Sequence, residues 1–97
     1  MRTISSQEYR NAAIVAEKRA ARDFEVLFVE VEVDGEEFRV VVDGHHSHEA
    51  AKLDGAPVKW VRSPMQSEAD RNGAEAFLTA HRFDCDYHDI DTGYPVF

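Results

Sequence analysis

Val40-Val41-Val42-Asp43-Gly44-His45-His46-Ser47-His48-Glu49-Ala50-Ala51-Lys52-Leu53-Asp54-Gly55 is the stretch on which the reading of this chain turns. Three β-branched residues favour a strand, Gly44 supplies backbone angles that other residues avoid, and the paired alanines and Lys52 favour helix as far as Gly55. The segment predicts a buried strand that turns directly into a short helix. The first amides of such a helix lack partners within it, and with the helix dipole they attract anions. His45, His46 and His48 add charge below neutral pH. The plainer alternative is that Asp43 caps the helix and the histidines are solvated or hydrogen-bonded locally.

Upstream, two alternating runs flank Asp34-Gly35, the preferred pair for a two-residue hairpin turn. That turn sets Val31 opposite Phe38, Val29 opposite Val40 and Leu27 opposite Val42, giving one apolar face. The other face carries Glu30 opposite Arg39 and Glu32 opposite Glu37, beside Asp34 and Glu36 at the tip. Opposed carboxylates repel, so this arrangement suits either presentation to a basic partner or protection of an edge against aggregation.

Downstream, Gly55 and Pro57 end the short helix, and Val58-Lys59-Trp60-Val61 reads as a strand. A helical crossover predicts that it runs parallel to the Val40–Val42 strand, with Trp60 buried beside it. Ser63-Pro64 breaks the chain. A helix from Ser67 carries Ala69, Ala76, Phe77 and Ala80, weakened at Gly73. In the tail, Phe83, Cys85 and Tyr87 alternate with Asp84, Asp86 and His88 as in a final strand, and Ile90, Tyr94, Val96 and Phe97 are apolar enough to fold back. At the other end, Ser5 and Glu8 fit a capping box that starts a helix running to about Arg22. Its Tyr9, Ala12, Ala13, Ala16 and Ala20 form a small-residue stripe suited to packing on a sheet.

The 97 residues predict one α+β domain over 1–97: N-terminal helix, β-hairpin, short helix, strand, helix and strand-like tail. No apolar run reaches membrane-spanning length and no signal segment opens the chain, which points to a cytoplasmic protein. Charge is uneven. Residues 1–22 carry five basic and two acidic groups, leaving six against seventeen beyond, and the net is −8. Such a surface repels nucleic acid, because a binder needs clustered Lys and Arg to neutralise phosphates. Cys85 is the single cysteine, so no internal disulfide forms, and its Asp-Cys-Asp setting disfavours a thiolate. His45 and His48 stand three apart beside a turn with no second thiolate, so no metal site is expected.

Strand, Asp-Gly-His-His, paired alanines, Lys, Gly and Pro before another strand, in that order over about residues 25–61, resemble the ParB/sulfiredoxin-like fold. In that family an arginine follows the second histidine and, with the helix-start amides, holds the phosphates of a nucleotide. Ser47 stands there in this chain. The resemblance thus implies a vestigial anion or nucleotide pocket of Asp43, Gly44, His45, His46, Ser47 and His48. The sulfiredoxin turn cysteine is absent, so sulfinic-acid repair is not implied, and the partition proteins' second phosphate motif, an Asn-bearing arginine segment, is absent as well.

These readings favour a small non-enzymatic acidic protein without cofactors, encoded by a phage or mobile element. It would inhibit a basic nucleic-acid-binding complex such as a CRISPR effector by mimicking DNA charge, and in general type it is similar to small acidic anti-CRISPR proteins. Its partner-binding residues would be Glu30, Glu32, Asp34, Glu36, Glu37, Asp84 and Asp86. The alternative is a nucleotide-binding or nuclease-like protein of the ParB/sulfiredoxin fold, worked by Asp43, His45 and His46. A regulatory partner of toxin–antitoxin type is a third reading.

Overall fold

The computed structural model describes all 97 residues. The elements are β1 (Arg2–Ser5), α1 (Ala12–Ala21), β2 (Glu25–Val33), β3 (Glu36–Asp43), α2 (His45–Asp54), β4 (Lys59–Arg62), α3 (Gln66–Asn72), α4 (Ala74–Ala80) and β5 (His88–Asp89). The strands form one mixed sheet in the order β4-β2-β3-β1-β5, and this is the expected small α+β domain. No helix is long and apolar enough to cross a membrane.

The hairpin of β2 and β3 is the frame. Asp34 and Gly35 both take positive φ, 52° and 82°, as a two-residue hairpin turn requires. Val31 faces Phe38, Val29 faces Val40, Glu30 faces Arg39 and Glu32 faces Glu37, all as read from the turn. The register then slips. Leu27 pairs with Asp43 rather than Val42, because a bulge between Leu27 and Phe28 leaves Val42 outside the ladder.

Ile4, Val40 and Val29 lie in register across β1, β3 and β2. With Val31 and Phe38 they make an apolar face that Ala69, Phe77, Leu78 and Tyr87 cover from α3, α4 and the tail. A smaller core joins Val15 of α1, Phe24, and Ala50 and Ala51 of α2.

Several expectations are corrected. Ser5 and Glu8 do not start α1: β1 occupies the Ser5 position, parallel to β3, and Asn11 caps the helix by accepting from the amides of Ala13 (2.9 Å) and Ile14 (3.2 Å). A side-chain oxygen at the cap satisfies amides that Ser5 is too far along the chain to reach. Of the small-residue stripe, Ala12, Ala13, Ala16 and Ala20 face solvent, and α1 packs on α2 mainly through Val15. Strand β4 lies beside β2, parallel to it, so it runs antiparallel to β3 and does not touch it. Trp60 is consequently half-buried on an edge strand, where the Arg39 guanidinium lies 4.1 Å from its ring centroid. The expected helix from Ser67 is two helices, broken at Gly73, whose φ of 89° and ψ of 161° no helix accommodates. Residues 83–87 are irregular despite their alternation, leaving only His88–Asp89 paired to β1. The end of the chain folds back: the Val96 amide donates to the Tyr87 carbonyl at 3.1 Å, and the Phe97 ring meets Phe38 at 5.4 Å.

Gly44 joins the hairpin to α2 at φ 92°, and a Cβ there would lie 2.6 Å from the Glu25 carbonyl oxygen. Gly35 also has positive φ, but nothing lies within 4 Å of its would-be Cβ. Gly44→Ala therefore adds a backbone collision to the conformational strain of about 1 kcal/mol that both substitutions share. Urea denaturation should show Gly44→Ala to be the more damaging of the two by at least about 2 kcal/mol. Equal midpoints would show that α2 does not rest on β2 in this way.

Candidate anion site at the paired helix starts

Helices α1 and α2 lie side by side and run in the same direction. At one end the Asn11 amide donates to His46 Nε2 at 3.1 Å; at the other, Arg19 Nε meets Asp54 Oδ1 at 2.7 Å. Both positive helix ends therefore fall together, because peptide dipoles add along each axis. The two starts differ. Asn11 caps α1, whereas no side chain caps α2, and the Asp43 carboxylate reaches only the Gly44 amide, at 2.8 Å.

The six pocket residues read from the sequence divide. Asp43, Gly44, His45 and His46 stand at the α2 start. Ser47 is almost wholly buried and directed into the body, where its hydroxyl helps hold the Asp23 carboxyl below its ordinary pKa after Lys18 and the Glu25 amide. His48 is also turned inward, with its ring 5.9 Å from Trp60. Position 47 is thus closed to solvent, at 1 % exposure.

His45 is only 3 % exposed, edge-on to Phe83 at 5.9 Å, and its Nε2 has no hydrogen-bond partner. Burial, and next the neighbouring Arg10 guanidinium, push its pKa down to about 4. Arg10 is the residue the sequence reading passed over. It donates from Nη1 to the carbonyls of Gln7 and Tyr9, both at 3.0 Å, while its Nε is buried without a partner. Nothing in the local pattern marks it, since its role depends on α1 starting at Asn11 and lying against α2.

One anion already sits here. Asp84 accepts from the amides of Glu8 (2.8 Å) and Tyr9 (3.3 Å), which lower its pKa, with Arg10 adding to the effect. Asp84, expected on an acidic partner-binding surface, is exposed and tied to the segment before α1.

Three of the six remaining expected acids are paired as well. Glu30 meets Arg62 at 3.1 Å, Glu36 meets Arg2 at 3.8 Å, and Asp86 meets Arg82 at 3.0 Å. Glu32, Asp34 and Glu37 have no cationic partner within bridging distance and remain exposed on the hairpin and its tip.

Nucleophilic chemistry finds no support at Cys85: burial first, then Asp84, pushes its thiol up to about 11. It is protonated at neutral pH. No three His, Cys, Asp or Glu side chains gather into a group that could hold a metal ion. No protein-family model, curated protein or solved structure matches the chain.

His45 makes stability depend on pH. Its folded-state pKa lies below the ordinary 6.5, so as pH falls the unfolded chain takes up the proton first. Its contribution is complete above pH 6.5 and is lost towards pH 4, amounting to about 3 kcal/mol. Burial lowers the His48 pKa too, which adds in the same direction. Denaturant midpoints should fall steeply between pH 6.5 and 4, and His45→Gln should flatten the fall. A midpoint unchanged from pH 7 to pH 4.5 would contradict the burial of His45.

Proposed function

We propose that this chain is a non-enzymatic, phosphate-binding domain of ParB/sulfiredoxin-like type, seating an anionic phosphate ester at the start of α2. The observation that carries this reading is the parallel packing of α1 and α2. It brings two positive helix ends and Arg10 to one place, beside the unpartnered Nε2 of buried His45. Arginine holds phosphate through charge-assisted, directional bonds that serine cannot make. Arg10, reaching from the segment just before α1, supplies the guanidinium that the turn lacks at Ser47. Asp84 supports the reading in one respect and limits it in another: it demonstrates an anion held on adjacent amides, and its charge opposes a second one.

Affinity for a small phosphate should accordingly be weak, around 1 mM, or about 4 kcal/mol. Calorimetry with pyrophosphate, ATP and CTP tests it, the nucleotides with magnesium. Arg10→Gln should weaken binding about tenfold, the loss of one charge-assisted contact. Asp84→Asn keeps an acceptor for the Glu8 amide, removes the competing charge and should tighten binding. No binding by any of the three ligands in Asp84→Asn, or equal binding with and without Arg10, would sink the proposal.

A second reading keeps the acidic surface as the working part, docking on a basic nucleic-acid-binding protein in place of DNA. It is favoured by Glu32 and Glu37, which face each other across the hairpin with no cation between them. Glu32→Lys with Glu37→Lys replaces one like-charge pair by another, so stability should hold within about 0.5 kcal/mol. Competition with DNA for a basic partner should fall sharply at low salt. Equal competition by wild type and variant in a gel shift would show that these acids serve solubility alone.

A further inference from the structure

The tip of the hairpin, α4 and the folded-back tail enclose an open depression of about 480 Å³. Its floor is apolar, made by Val33, Leu78, Tyr87 and Phe97. The floor is held from below: the Tyr87 hydroxyl donates to the Leu78 carbonyl at 2.7 Å, and the Phe97 ring stands edge-on to Phe38 and Tyr87. Phe97 is nonetheless 57 % exposed, a large aromatic face left in water. Around this floor stand Asp34, Glu75 and Asp86. The one cation at the rim, Arg82, is engaged by Asp86 at 3.0 Å. Asp34 and Glu75 thus face the depression without a cationic partner, and its charge is net negative.

An apolar floor inside a negative rim selects its occupant. A phosphate, a nucleotide or an acidic peptide is repelled by the rim, and a purely cationic chain leaves the floor wet. A segment that carries a large apolar side chain between lysines or arginines satisfies both, burying the apolar group and pairing its flanks with Asp34 and Glu75. The volume lies within the range of small-ligand pockets and accommodates one or two such side chains, not a whole domain. We propose that this depression is a docking site for a short cationic–apolar peptide segment of a protein partner. The proposal rests on the second reading for the sign of the partner's charge and moves its centre from the Glu32–Glu37 face to the groove.

The probe is the acetylated, amidated peptide Gly-Lys-Arg-Leu-Phe-Lys-Gly, titrated into the ¹⁵N-labelled full chain at low and high salt. Amide shifts should map to Val33, Asp34, Leu78, Thr79 and Tyr87. Replacing Leu-Phe by Ala-Ala in the peptide should abolish them. Glu75→Lys, an exposed change in the first turn of α4, should weaken binding about tenfold, as should raising the salt. Thr79→Arg, which fills the groove from an exposed position, should block it, and unchanged thermal melts would show that both variants are folded. Peptide shifts centred on Glu32 and Glu37 and indifferent to Glu75→Lys would overturn the groove while leaving the acidic-partner reading intact. If neither this peptide nor oligolysine perturbs any amide at low salt, both fall.

Discussion

Everything at the business end of this fold depends on how closely α2 approaches the start of β2. At Gly44 the chain passes so near the Glu25 backbone that no Cβ fits, the gap to the carbonyl oxygen being 2.6 Å. That approach sets α2 down over the sheet, where Ala50 and Ala51 can meet Val15 and Phe24. It buries His45 and turns Ser47 and His48 inward. It also delivers the chain to the far side of β2, so β4 pairs there and not beside β3. Gly55 then ends the helix with its amide bonded back to Lys52, and the Ala56 amide reaches Ala51, in the usual left-handed stop.

Local chemistry was legible where neighbours in sequence are also neighbours in space. The Asp34-Gly35 turn fixed most of the hairpin register, and Gly55 with Pro57 marked the end of α2. What depended on distant partners was not. Strand β1 is four residues long, shows no clear alternation and exists because β3 offers an edge some thirty-six residues away; Ser5 and Ser6, polar and apparently suited to capping, are fully buried at its end. The Ser6 hydroxyl accepts from the Phe83 amide at 2.9 Å and its carbonyl from the amides of Asp84 and Cys85, so the alternating tail spends its hydrogen bonds on a loop, leaving no ladder for a strand. Gln66 shows the same principle. Its side-chain amide accepts from the Glu30 amide at 2.7 Å and donates to the Glu30 carbonyl at 2.9 Å, taking the place of the strand that β4 is too short to provide.

The nineteen acidic residues overstate the number of carboxylates available to a partner. Arg2 of β1, Arg62 of β4 and Arg82 just past α4 meet acids that look unopposed in sequence. Exposed pairs of this kind contribute little to stability, yet they decide which carboxylates a partner would find free. The positive feature is equally non-local: Arg10, Asn11 and His46 converge only because two helices run parallel. The turn motif was readable, but its electrostatic context belonged to tertiary structure.

We propose that an anion is received at the α2 start, beside buried His45 and Arg10. The most direct measurement is the titration of the His45 imidazole by NMR, with and without pyrophosphate. The account predicts a pKa of about 4 in the free protein, raised when pyrophosphate binds, because a nearby anion favours the protonated ring. A titration at the ordinary 6.5, or one that pyrophosphate leaves unmoved, would contradict it.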